Sequence, residues 1–175
     1  MNNTNKITVI NSHPNINNST DIILKELFKN YSTDYIYLRD LDISYYDSEN
    51  KNIDDDFISV AEKMSKSNII IFATPVYWYT MSASMKTLFD RFTDLITIRK
   101  DLGRMLEGKK CYIVASGFAE ETPEHFETPF KLTMEYFQMK YKGCFYYCSN
   151  NEKSEAFNTA NDEHSKELLH SIESI

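Results

Sequence analysis

The sequence predicts an α/β fold, with a five-stranded parallel sheet wound in the order 2-1-3-4-5 and helices on both faces. Three observations carry this. Short apolar runs rich in β-branched and aromatic residues recur along the chain, segments of helical period separate them, and no linker, repeat or low-complexity stretch breaks the alternation.

The runs are Ile7–Ile10, Tyr35–Leu38, Ile69–Ala73, Cys111–Ala115 and Cys144–Cys148. Continuous apolar strands of this kind suit a parallel sheet covered on both faces. Between them, Ile23, Leu24, Leu27, Phe28 and Tyr31 mark one helical stripe, and Phe57, Ile58, Ala61 and Met64 a shorter one. Met85, Leu88, Phe89, Phe92, Leu95 and Ile96 mark a third, and Phe130, Met134 and Phe137 a fourth. A last, less regular stripe holds Phe157, Ala160, Leu168, Leu169 and Ile172. Thr122-Pro123 and Thr128-Pro129 each resemble a capping hydroxyl followed by proline at the first helical position. Asp40 to Asp56 is polar and acidic with aromatic interruptions, and reads as a long surface loop.

A chain of 175 residues with 42% hydrophobic composition suffices for one domain, residues 1–175, with a continuous core. A net charge of −7 and scattered Lys and Arg argue against a nucleic-acid partner. The polar start, Met1 to Lys6, leads into an apolar run too short for a signal peptide or a membrane span. A cytoplasmic protein is expected. Cys111, Cys144 and Cys148 are odd in number and sit in strands, where free thiols pack as small hydrophobes, so neither disulfide nor metal is expected.

In a sheet of this order, ligands bind at the carboxyl ends of the strands beside the switch point. Three segments lie there. Asn11 to Thr20 leads straight into the first helix, and the N–H groups of a helix N-terminus can hold a phosphate without any basic side chain. Ser12, Asn18, Ser19 and Thr20 add side-chain donors, and His13 an imidazole; helix capping by Asn18 or Ser19 is the plainer reading. Thr74 to Met81 places Tyr77, Trp78, Tyr79 and Met81 after a buried strand, where polar residues are usual. Such aromatics suit a flat heterocycle, a buried position under the next helix, or a subunit interface. Ser116 to Thr122 contains Gly117, which allows close backbone approach or a tight turn.

Other chemistries are absent from the sequence. Gly103, Gly108, Gly117 and Gly143 are the only glycines, so no dinucleotide fingerprint exists. Gly103 to Lys110 approaches a triphosphate loop but ends in Lys110 and precedes a strand instead of following one. A receiver domain would need an aspartate where Thr74-Pro75 stands. His13, His125, His164 and His170 show neither metal nor triad spacing, and His164 and His170 read as residues of a solvated helix face.

The segment Thr74 to Phe92, TPVYWYTMSASMKTLFDRF, resembles the ring-binding loop and following helix of the NAD(P)H-dependent FMN reductase and quinone reductase branch of the flavodoxin-like proteins. The resemblance spans nearly the whole chain and implies a flavodoxin-like three-layer sandwich. It implies FMN as cofactor, NADH or NADPH as co-substrate, and a small electron acceptor (a quinone, nitro, azo or flavin compound). The phosphate would fall on Ser12, Asn18, Ser19 and Thr20, with His13 of the same loop also at the cofactor. Pro75, Val76, Tyr77, Trp78 and Tyr79 would contact the flavin ring, with Ser116, Gly117 and Phe118 along its pyrimidine side. A homodimer is implied as well, and no side chain is implied as an acid–base catalyst. Unlike many relatives, the chain has no glycine in the first loop and no second glycine after the fourth strand. Asp90 and Arg91 match a recurrent pair of the family, open to a structural, interfacial or catalytic role. The alternatives are a flavodoxin-type single-electron carrier and a flavin-free interaction domain of the same fold.

Overall fold

A computed structural model describes residues 6–149 and the helix 155–173, the side chains of 155–162 excepted. The long strands are β1 (Ile7–Asn11), β2 (Thr33–Tyr37), β3 (Ile69–Tyr77), β5 (Lys110–Gly117) and β6 (Lys140–Cys148), and a short β4 (Thr80–Met81) pairs antiparallel with β3. The long strands are parallel in the order β2-β1-β3-β5-β6, so the expected 2-1-3-4-5 winding holds. The helices are α1 (Ser19–Leu27), α2 (Phe57–Ser65), α3 (Ala83–Arg91), α4 (Asp94–Thr97), α5 (Lys100–Arg104), α6 (Thr128–Tyr136) and α7 (Glu155–Glu173).

Alternate strand residues feed two cores. On one face Ile10, Ile70, Phe72, Ile113 and Ala115 pack with α2, α3 and α6 through Phe57, Met64, Leu88, Phe89 and Phe130. On the other, Val9, Ile71, Ala73, Val114 and Tyr147 pack with α1 and α7 through Leu24, Leu27, Phe28, Leu168 and Ile172. The period of two within each strand is what sends successive side chains to opposite layers. The β5–β6 register shifts between Cys111 and Ile113, and Gly143 supplies the positive φ of 125° within the facing stretch of β6.

Several boundaries differ from the sequence expectation. β3 runs on to Tyr77 and β5 to Gly117, so the expected Thr74–Met81 loop is largely strand and the Ser116–Thr122 segment begins as strand. Leu38 opens a short 3₁₀ turn, Leu38–Asp40, and does not close β2. The third stripe breaks at Phe92-Thr93 into α3 and α4, leaving Ile96 exposed. Pro129 lies in the first turn of α6, but the N-cap is Glu127 without a side-chain cap bond, and no helix starts at Thr122-Pro123. His164 is half-buried: its Nδ1 lies 2.9 Å from the Tyr146 carbonyl oxygen and its ring meets Tyr147 edge-on, because α7 lies flat on the sheet. The stripe residues Phe157 and Ala160 lie outside the described side chains. Cys111, Cys144 and Cys148 are free thiols against one core, and burial raises Cys111 to about 12.

Candidate functional site

The switch point lies where β1, flanked by β2 and β3, sends its chain into α1. Ser12 is buried directly after β1, and its hydroxyl donates to the Ala73 carbonyl of β3 at 3.1 Å. Ser82, the N-cap of α3, donates to the Ser12 hydroxyl at 2.8 Å and accepts from the Met85 N–H. Ser84 donates to the Ser12 carbonyl at 3.2 Å. On the other side, Thr20 and Ser116 share a hydrogen bond of 2.6 Å between their buried hydroxyls. Hydroxyl contacts thus join the β1–α1 segment to both the α3 start and the end of β5. The Ser12 and Thr20 hydroxyls, expected from sequence among the phosphate donors, make these contacts with protein partners.

What remains open at α1 is backbone. Asn18 caps the helix, its side-chain oxygen accepting from the Asp21 N–H at 2.9 Å. Among the described residues, the N–H groups of Ser19 and Thr20 donate to no protein acceptor. Ser19, Asn18 and His13 are half-buried around this end. Asp21 in the first turn is a buried carboxylate that would repel an anion if left alone. It is answered on three sides, by the Asn11 amide at 2.5 Å, the Asn17 N–H at 3.1 Å and the Arg39 guanidinium at 3.8 Å.

Arg39 is the residue that the sequence reading missed. It donates to the carbonyls of His13 and Asn15, both at 3.2 Å, and lies 4.3 Å over the Tyr37 ring. A signal existed: Arg39 follows the second strand, whose carboxyl end adjoins the first loop in the 2-1-3 order. Burial lowers the pKa of His13, with Arg39 adding to the effect, against opposing pulls from Asp21 and the Asn15 N–H. That N–H donates to His13 Nδ1 at 3.1 Å, so the neutral ring carries its proton on Nε2.

The expected aromatic loop is a hairpin. Val76 pairs with Met81 and Tyr77 with Thr80, leaving Trp78 and Tyr79 as a two-residue turn. Pro75 is buried and Val76 half-buried, while Tyr77, Trp78 and Tyr79 are exposed; none folds under α3. Pro75 sits beside Ser116 in the sheet register, and Phe118 stands exposed just past β5. A Cβ on Gly117 would lie 2.8 Å from the Tyr146 hydroxyl and 3.2 Å from Val76 Cβ, so the close approach that this glycine serves is to its own neighbours.

Arg91 is fully buried and belongs to the fold. It pairs with Asp94 and Asp55, and donates to the carbonyls of Ser44 and Asn52, anchoring the acidic segment after β2. That segment, through Leu41, Ile43 and Tyr45, walls a cavity of about 440 Å³ whose far side is Ala83, Ser84 and Thr87 of α3. Asp90 pairs with Lys86 at the surface. Among the described residues no group of three His, Cys, Asp or Glu could hold a metal, and no helix is long and apolar enough to cross a membrane.

A family model described as the flavodoxin-like fold matches residues 5–171. A Bacillus subtilis (strain 168) protein, YwqN, named as an inferred NAD(P)H-dependent FMN-containing oxidoreductase, is 28% identical over 120 residues, 64% of this chain and 66% of that protein. The match thus spans just under two thirds of that relative. Among solved structures, the Trp repressor binding protein from Bacillus subtilis matches with TM-score 0.74 at 24% identity, over 93% of this chain and 97% of that one. An FMN-dependent NADH-azoreductase from Bacillus anthracis in complex with FMN matches with TM-score 0.71 at 12% identity, over 95% and 99%.

Proposed function

The chain belongs to the flavodoxin-like fold family, and from that membership we propose that it holds FMN at the carboxyl ends of β1, β3 and β5 and passes electrons from NAD(P)H to a small acceptor. The observation that carries this reading is the pairing, on one sheet edge, of a helix start with free N–H groups and a hairpin presenting exposed aromatic rings. These residues fit the cofactor. A phosphate suits the N–H groups of Ser19 and Thr20, helped by Asn18, the Ser19 hydroxyl and the Nε2–H of His13. A planar ring would suit the hairpin, where Pro75, Val76, Tyr77, Trp78 and Tyr79 would hold it. Ser116, Gly117 and Phe118 would meet the ring's polar edge from β5.

Bound FMN would supply hydride acceptance from the nicotinamide and electron delivery to a quinone, nitro, azo or flavin acceptor. The chain's own part is orientation. Ser12, Thr20, Ser82 and Ser84 hold the phosphate and ring segments in fixed relation, and Arg39 braces the phosphate segment through its carbonyls. No side chain need move a proton. Exposed Glu120 and Glu121 just past β5 disfavour an extra phosphate and so favour NADH over NADPH. The name of the Bacillus subtilis relative supports the activity. We further propose that residues 1–175 form one domain and that the protein is a homodimer.

The test is anaerobic addition of NADH or NADPH to the FMN-loaded protein. Rapid bleaching of the flavin colour, restored by a quinone, is the expected result. A protein that takes up no FMN overturns the reading, and one whose flavin ignores both nicotinamides overturns the reductase part of it.

A further inference from the structure

The stretch Gly103 to Lys110, which approaches a triphosphate loop in sequence, takes no part in the flavin reading. Its first residues wall a cavity of about 310 Å³ between α4, α5 and the end of α6. Gly103 lets α5 lie hard against α4, since a Cβ there would stand 2.2 Å from the Leu95 carbonyl oxygen. Part of the lining is apolar: Leu95 and Phe137 are buried, while Ile96 is 40% and Tyr136 is 67% exposed. The Tyr136 and Phe137 rings meet edge-on with centroids 5.6 Å apart.

The rest of the lining is mainly cationic. Lys100 and Arg104 face the cavity against the single carboxylate of Glu107, and all three are exposed. Arg39, Arg91 and Arg99 each pair with a carboxylate. Arg104, the remaining arginine, has neither an ion pair nor a side-chain hydrogen bond among the described residues, and the same is true of Lys100. Arg104 at the end of α5 complements the helix dipole, but Lys100 at its start opposes it, so the dipole does not account for the pair. Residues four apart share one helix face. Two unanswered cations therefore stand together beside exposed aromatic surface, in a chain whose net charge is −7.

We propose that this cavity binds a small aromatic anion, its ring against Ile96, Tyr136 and Phe137 and its carboxylate or phosphate on Lys100 and Arg104. The planar fork of an arginine matches either head group, and aromatic walls suit a flat ring. Because α5 and α6 lead into the starts of β5 and β6, the cavity lies at the amino ends of the strands, opposite the edge assigned to FMN, and a ligand here leaves that edge free.

Benzoate and phenyl phosphate are the probes, titrated into isotope-labelled protein while backbone amides are followed. Saturable shifts are expected at Ile96, Gly103, Arg104 and Gln138, with a dissociation constant of about 1 mM or tighter for at least one of the two. Benzyl alcohol keeps the ring without the charge, and acetate and inorganic phosphate keep the charge without the ring; each binds about tenfold more weakly or not at all. Lys100→Gln/Arg104→Gln weakens the better probe about tenfold, and Tyr136→Ala about threefold. Both variants change exposed side chains, so the fold is kept. No saturable shift at these amides, equal binding of benzyl alcohol, or undiminished affinity in the double variant overturns the proposal. So does a dimer in size-exclusion chromatography whose amides here ignore both probes, which assigns the surface to a second copy.

Discussion

Replacing Arg91 with Leu removes the cation from a fully buried cluster. The guanidinium has no exposed surface, and the side chains of Asp55 and Asp94 are only 6% and 3% exposed. Its Nε donates to Asp94 at 2.8 Å and another nitrogen to the Ser44 carbonyl at 3.1 Å, while its carbon centre lies 4.7 Å over the Phe57 ring. The variant leaves two carboxylates buried without their cation. Breaking such a pair costs about 3–5 kcal/mol. For a chain of this size that lowers Tm by roughly 6–20 °C. Urea unfolding of parent and variant measures it, with the slope against denaturant unchanged. A companion carrying Arg91→Leu, Asp55→Asn and Asp94→Asn together regains at least half of the loss, because the unpaired charges are gone. A loss below about 1 kcal/mol, or a companion no better than the single variant, refutes the argument that buried charge imbalance is the cause.

The same cluster sets an acid limit. Burial alone would push Asp55 upward, but the hydrogen bonds from Arg91 and from the Phe57 and Ser44 N–H groups outweigh it and hold the carboxyl below its ordinary 3.8. A depressed folded value means stability that is present above the unfolded pKa and lost as pH falls through the folded one, so Asp55→Asn flattens the stability–pH curve below about pH 4. His13, lowered from 6.5 chiefly by burial, should titrate below that value in NMR, with its neutral form protonated at Nε2; a step above 6.5 would contradict its placement. Ser12→Ala deletes the acceptor of the Ser82 hydroxyl and should cost about 1 kcal/mol of stability in urea unfolding. It should also weaken FMN binding without touching any exposed surface, and an unchanged dissociation constant would count against the stitching of the segments.

Much of the frame was readable in the sequence because burial on both faces leaves a strong mark. Ile7–Ile10 and Ile69–Ala73 read as central strands and are central, and the stripes at Leu24 and Leu88 face the two cores. Strand ends were less legible. Thr74 to Tyr77 and Ser116-Gly117 carry turn-like residues, yet they continue their strands because neighbouring strands supply hydrogen-bond partners, which local sequence does not encode. The break at Phe92-Thr93 was hidden for a similar reason, since apolar spacing continues across it while Asp94 turns back to Arg91. At the candidate site, residue types named the segments but not the contacts that each hydroxyl makes. Ser12 and Thr20 are polar residues near a helix start whether they face a ligand or a protein partner; only the distances to Ser82 and Ser116 tell.

The central claim, that FMN lies across the ends of β1, β3 and β5, is tested most directly by titrating FMN into isotope-labelled protein and following backbone amides. The largest shifts are expected at Ser19, Thr20, Trp78, Tyr79, Gly117 and Phe118, with riboflavin, which lacks the phosphate, moving the last four far more than the first two. Shifts concentrated instead at Ile22, Leu27 and Leu169, in the groove between α1 and α7, or no shifts at saturating FMN, would contradict it.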